Sequence, residues 1–76
     1  MQDEFKDYYK MLGLKVAYYR KLKGLTQEGL AEIMEVDTSF IGQIEAPNIS
    51  KAISMDTLFR ISKALDTPPY KFLHFD

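Results

Sequence analysis

Residues Thr26 to Glu45, TQEGLAEIMEVDTSFIGQIE, decide how this chain folds. Thr26 is suited to cap a helix, because its hydroxyl accepts one of the backbone N–H groups left unpaired in a first turn, and Leu30, Ala31 and Met34 then recur at helical spacing. Asp37 caps a second helix in the same way. Within it Ile41 and Ile44 fall on one side, with Ser39, Gly42 and Gln43 on the other. The small Ala31 lets the two helices approach closely; Glu35-Val36 forms the turn, and Val36 fills its inside corner. The unit expected is a helix-turn-helix, with an inner face that packs and an outer face free to read a partner.

Towards the N-terminus, Phe5, Tyr9, Leu12, Val16 and Tyr19 are spaced by three or four residues, which predicts one long helix from Asp3 to Lys23. Gly24 follows and can take the left-handed conformation that ends it, after which Leu25 re-enters the core. Downstream, Ala46 to Ile53 reads as a loop, since Pro47 cannot continue a helix and Asn48 tolerates a turn. Ser54 caps a fourth helix whose buried stripe is Leu58, Ile61 and Leu65, with Ala64 beside it. Thr67 is placed to cap a fifth, with Pro68 at its first position. Tyr70, Phe72, Leu73 and Phe75 are too apolar for a frayed tail; they either close the core or meet the same residues of a second subunit. No internal repeat or low-complexity tract interrupts the chain.

Seventy-six residues form one domain spanning 1–76, because a chain of this size buries only about 60% of its unfolded surface and cannot support two cores. A deep catalytic cleft does not fit. No apolar run approaches the roughly 20 residues needed to span a bilayer, and the charged start, Met-Gln-Asp-Glu-Phe-Lys, lacks the apolar segment of a signal peptide. A cytoplasmic location is expected. The absence of cysteine removes disulfides, thiolate metal sites and thiol nucleophiles together. His74 is the single histidine of the sequence, and a lone histidine near a C-terminus reads as structural or solvated rather than as a metal ligand or general base. The expectation is therefore a non-enzyme with no catalytic residue, metal, cofactor or small-molecule site.

The formal net charge is −1, unlike the basic balance of many DNA-binding domains. Its distribution matters more. Lys15, Arg20, Lys21, Lys23 and Lys51 lie centrally, while Asp3, Glu4 and Asp7 occupy the N-terminal arm. Glu28, Glu32, Glu35, Asp37 and Glu45 offset the central positive charge, so only modest, salt-sensitive affinity for DNA is expected per subunit.

The combination Leu12-Gly13, Arg20, Gly24-Leu25-Thr26-Gln27, Leu30-Ala31, Val36, Ile41, Ile44-Glu45, Leu58, Ile61 and Ala64-Leu65 resembles the Cro/cI-type helix-turn-helix family of bacterial and phage repressors, often called the XRE family. The likeness runs from about Leu12 to Leu73. It implies an all-α, five-helix bundle of the lambda-repressor-like DNA-binding type, with the helix-turn-helix at helices 2 and 3. In the family the first helix begins near the position of Leu12, so residues 1–11 resemble an N-terminal extension. Phe5, Tyr8 and Tyr9 are then surplus apolar surface, destined for the chain's own core or for a subunit contact.

The major groove of B-form DNA admits one helix, and outward side chains near its N-terminus reach the base edges. Here those are Thr38, Ser39, Gly42 and Gln43. Gln43 is the strongest base reader, since its amide both donates and accepts and so matches N6 and N7 of adenine, a pairing worth about 1–3 kcal/mol of discrimination. Thr38 and Ser39 bond either kind of edge. Gly42 brings only backbone, either for close approach to DNA or as a tolerated helix glycine costing about 1 kcal/mol against alanine. Phe40 sits between the two faces, as much a candidate for core as for DNA contact. Gln27, by resemblance, positions the protein on a phosphate at the start of its helix, and Asn48, Ser50 and Lys51 lie in the loop that in the family skirts the DNA backbone. Lys21 and Lys23 read as a solvated face. Arg20 and Glu45 resemble the family's structural ion pair, which positions rather than reads.

Three departures from the family bear on these expectations. Glu35 replaces the usual glycine of the turn, and a side chain at positive φ costs about 1–2 kcal/mol, which argues for a rearranged turn. Gly29 replaces a common glutamate. Ala46-Pro47 replaces a polar or basic residue and glycine, removing a phosphate contact, and no arginine or lysine lies on the recognition helix to read guanine. The function expected is sequence-specific double-stranded DNA binding as a homodimer, regulating transcription as a repressor. The alternative is a protein-interaction module, antitoxin-like or an adaptor, that keeps the fold with weak DNA binding or none.

Overall fold

A computed structural model describes residues 3–49 and 51–75; Ser50 lies outside them. Among the described residues there are four α-helices, α1 (Lys6–Leu22), α2 (Gln27–Met34), α3 (Thr38–Glu45) and α4 (Met55–Ala64), flanked by 3-10 segments at Asp3–Phe5 and Pro69–Leu73. The all-α architecture and the helix-turn-helix at α2 and α3 agree with the sequence reading. The fifth helix does not form as an α-helix. Pro68 and Pro69 both lack an N–H, and the short segment closes on the Lys71 N–H to Pro68 O bond of 3.1 Å, a three-residue step. Nor does Thr67 cap it, because its hydroxyl turns back to donate to Leu65 O at 2.9 Å.

The other caps form as expected. Thr26 Oγ1 accepts from the Gly29 N–H at 2.9 Å, an Asp37 carboxylate oxygen from the Ser39 N–H at 2.9 Å, and Ser54 Oγ from the Thr57 N–H at 3.1 Å. Helix ends repeat one device. After α1 the Gly24 N–H bonds Lys21 O and the Leu25 N–H bonds Arg20 O; after α2 the Glu35 and Val36 N–H groups bond Glu32 O and Ala31 O; after α4 those of Asp66 and Thr67 bond Lys63 O and Ser62 O. Each closure is a Schellman motif whose pivot has positive φ: 75° at Gly24, 59° at Glu35 and 49° at Asp66. The turn between α2 and α3 is thus kept, not rearranged. Its two carbonyl bonds and the burial of Val36 against the core offset the cost of a left-handed Glu35.

Leu12, Val16, Leu30, Ala31, Met34, Ile41, Ile44, Leu58, Ile61, Leu65 and Phe72 form the core. Phe72 closes it from the C-terminal segment and is fully buried, whereas Tyr70 and Leu73 stay exposed. The N-terminal surplus divides: Tyr9 packs on the core, while Phe5 and Tyr8 remain exposed, with Tyr8 stacked against Phe75 at 6.2 Å between ring centres. α1 and α3 approach so closely that a Cβ on Gly13 would overlap the Ile44 carbonyl oxygen, an obstacle of backbone that cannot rotate away.

Two substitutions should therefore shift stability in opposite directions. Gly13→Ala should cost about 2 kcal/mol or more despite its better helix propensity, because the overlap forces α1 off α3. Glu35→Gly should gain about 1 kcal/mol by relieving the left-handed side chain. Urea denaturation midpoints read both.

Candidate nucleic-acid interface

α3 is held at both ends. At its N-terminus the Ser39 backbone N–H, and secondarily the Ser39 side chain, hold the Asp37 carboxyl below its ordinary pKa. The sign follows directly: the cap's contribution is present above the unfolded aspartate's pKa and is lost as pH falls through the lowered folded value. At the C-terminus Glu45, the last residue of α3, places a carboxylate at the negative end of the helix dipole. Three donors compensate. Arg20 gives Nε to Glu45 Oε2 at 2.7 Å and a terminal nitrogen to Oε1 at 2.9 Å, while Gln27 Nε2 donates to the same Oε1 at 3.0 Å. The remaining Arg20 nitrogen donates to Leu25 O at 2.7 Å. Both charged side chains are more than nine-tenths buried.

Gln27 thus carries a role beyond a surface glutamine: its amide nitrogen is tied to the ion pair and its amide oxygen lies toward α3. A Cβ on Gly42 would stand 3.5 Å from Gln27 Oε1, an ordinary contact, so Gly42 leaves room for this side chain without being sterically obligatory. Gln43 is different. It is exposed, and its amide meets no partner among the described residues. Thr38 and Gly42 are half-buried, and Ser39 is exposed. Arg20, Gln27, Gly42 and Glu45 therefore gather in one place, with Ser39 and Gln43 outside it.

The loop after α3 begins at Ala46, whose ψ of 124° is the extended conformation a following proline demands. The Ile49 N–H then bonds Ala46 O at 3.2 Å across Pro47-Asn48. Asn48 is exposed at this turn. Lys51 reaches back to α3, its ammonium 5.4 Å from the centre of the Phe40 ring, so the loop supplies beside α3 the cation that α3 itself lacks. Phe40 is half-buried against the core, the packing role among the two that the sequence left open. Sequence reading also missed Arg60, which donates to Met34 O at 2.6 Å and satisfies the last carbonyl of α2 from α4. Its only signal was a lone arginine on the polar side of an amphipathic helix.

A helix-turn-helix family model matches residues 16–72, three quarters of the chain and every element of this site. The chain belongs to the helix-turn-helix family of the Cro/cI (XRE) type. The family is one of DNA-binding transcriptional regulators. The chain is 35% identical over 69 residues to control protein C.SmaI of Serratia marcescens, covering 91% of this chain and 80% of that one. It is 38% identical over 63 residues to the uncharacterised HTH-type transcriptional regulator YazB of Bacillus subtilis, covering 78% of this chain and 91% of that one. Among solved structures it resembles the restriction-modification controller protein C.AhdI of Aeromonas hydrophila, with a TM-score of 0.76 and 28% identity over 84% of this chain and 94% of that one. The hypothetical transcription factor NHTF from Neisseria shares the fold, with a TM-score of 0.81 and 24% identity over 97% of this chain and 82% of that one. No helix among the described residues is long and apolar enough to cross a membrane.

Glu45→Ala removes the shared acceptor and leaves Arg20 buried without a counter-charge, which should cost about 3–5 kcal/mol. Small domains hold only about 5–15 kcal/mol in all, so thermal melting should drop into or below the range of marginal folding.

Proposed function

We propose that this helix-turn-helix protein binds double-stranded DNA sequence-specifically as a homodimer in the cytoplasm, lays α3 in the major groove and represses transcription. The observation that carries the reading is the contrast between two glutamines. Gln27 is committed to Glu45, whereas Gln43 stands exposed and unengaged on an α3 fixed at both ends. Gln43 is the side chain assigned to adenine N6 and N7, with Thr38 and Ser39 as less selective contacts and Gly42 offering backbone. Gln27, Asn48 and Lys51 are assigned to phosphates. Tied to Glu45 through one amide hydrogen, Gln27 keeps the other for a phosphate oxygen, and the Phe40 ring steers the Lys51 ammonium along the edge of α3.

Dimerisation is supported by the apolar surplus of the two terminal segments. Phe5, Tyr8, Met55, Leu73 and Phe75 help line an open apolar groove of about 240 Å³, the kind of exposed patch that marks interfaces. Two subunits about a two-fold axis would present their α3 helices to half-sites about 34–36 Å apart. Two of the similar proteins are named as controllers, one of them of a restriction-modification system, which supports regulation of transcription.

One observation favours the adaptor reading: Glu28, Glu32, Glu35 and Asp37 are all exposed along α2 and its turn, an acidic surface beside α3 that repels phosphate. Selection of a random duplex library at low salt, with Gln43→Ala in parallel, separates the two. The operator-binding reading expects an enriched palindrome that relaxes at an adenine position in the variant, with a loss of about 5- to 150-fold in discrimination. It also expects a log–log salt slope near −0.9 per neutralised phosphate. Enrichment of nothing by either protein would favour the adaptor.

A further inference from the structure

The Arg20 network holds the helix-turn-helix at one end. It grips Gln27 and Glu45, the first residue of α2 and the last of α3. The turn lies at the opposite end of both helices, and its own bonds are local: the Glu35 and Val36 N–H groups close back on α2, and the Asp37 carboxylate accepts from Ser39 two residues on. Such bonds shape the turn without fixing where it sits. The bond that reaches it from another element comes from α4, where a terminal nitrogen of Arg60 donates to Met34 O at 2.6 Å across 26 positions of sequence. A charged donor at this distance makes a strong, directional bond. The groove around it, lined by Ile33, Met34, Glu35, Arg60, Lys63 and Ala64, is open, so water would satisfy Met34 O in the absence of Arg60. The contribution of Arg60 is therefore direction more than stability.

We infer that Arg60 is a positioning residue for DNA recognition: from α4 it fixes the turn, and with it the start of α3, against rotation about the anchor at Gln27 and Glu45. The inference rests on the reading of α3 as the helix that enters the major groove. A single polar anchor leaves the two helices free to pivot on their apolar contacts, which are non-directional. A second anchor at the far end stops the pivot. Displacement about the first anchor is largest at the turn, so Thr38 and Ser39, which open α3 beside it, move most. Base contacts tolerate little of this, since recognition groups must be held within about 0.5 Å and 10–20° of their working geometry. Phosphate contacts from long, flexible lysine side chains tolerate more. Arg60 itself makes no DNA contact in this scheme; it acts through the turn.

Arg60→Met keeps an unbranched stem and removes the donors, and because Arg60 is exposed the urea midpoint should hardly move. Affinity for the duplex selected by the unmodified protein should fall at least about fivefold, while affinity for random duplex changes less than about twofold. The log–log salt slope should stay the same, whereas loss of a phosphate contact would reduce its magnitude by about 0.9. Amide exchange without DNA reads the clamp by itself. The Glu35, Val36 and Phe40 N–H groups should exchange at least about threefold faster in the variant, with those of Gly24 and Leu25 after α1 unchanged. Unchanged exchange at the turn, or exchange that rises equally at Gly24 and Leu25, would overturn the inference. So would an unchanged preference for the selected duplex, or a slope reduced by one phosphate. If the unmodified protein retains no duplex, the operator reading fails, and exchange at the turn alone decides whether Arg60 fixes it.

Discussion

Burying the Arg20 guanidinium against the Glu45 carboxylate is the constraint on which the arrangement of the first three helices depends. Taking two charges out of water costs several kcal/mol for each, and the cost is recovered only when geometry is good and the remaining donors and acceptors are occupied. Here they are. Glu45 accepts from two Arg20 nitrogens and from Gln27, and the third Arg20 nitrogen is held by Leu25 O. The residues come from α1, from the turn after it, from the first position of α2 and from the last of α3. One cluster therefore sets where α3 ends relative to α1 and where α2 begins relative to both. Such a network need not add net stability, and its evident contribution is position.

The apolar core and the backbone close in around that cluster. Gly13 lets α1 lie directly on the Ile44 carbonyl, one residue before Glu45, so the ion pair is reached at short range. Val36, turned inward by the left-handed Glu35, fills the corner between α2 and α3, and Arg60 secures the last carbonyl of α2 from the far side. Asp37 fixes the start of α3 and Pro47 determines its end. α3 is short, and its orientation comes from these attachments more than from its own helical propensity.

Features written in neighbouring residues were legible from the sequence. The caps at Thr26, Asp37 and Ser54, the left-handed Gly24 and the buried stripes of α2, α3 and α4 each follow from a local pattern of hydroxyls, carboxylates and apolar spacing, and each is found. Features that join residues some 25 positions apart were less so. The Arg20–Glu45 pair was accessible only through a resemblance, and the Arg60 bond to Met34 and the demand for glycine at position 13 were not anticipated. Glu35 and Thr67 misled for related reasons. A side chain's preference was read without the tertiary contacts that overrode it: the turn's paired carbonyls and Val36 for Glu35, and the competing Leu65 carbonyl for Thr67. At the candidate interface, the sequence assigned Gln43 to a base edge and, by resemblance, Gln27 to a phosphate. The geometry adds that Gln27 is tied to Glu45 while Gln43 is left exposed.

If the buried network serves position, replacing it with apolar groups of similar volume should preserve folding and impair recognition. The decisive measurement is the DNA affinity of Arg20→Met/Glu45→Leu against the duplex selected by the unmodified protein, taken at a temperature where both are fully folded. The double variant should remain folded with stability close to that of the unmodified chain, since the desolvation cost disappears with the charges, and should bind that duplex at least tenfold more weakly. A folded double variant with unchanged affinity would show that hydrophobic packing alone orients α3, and would contradict the account.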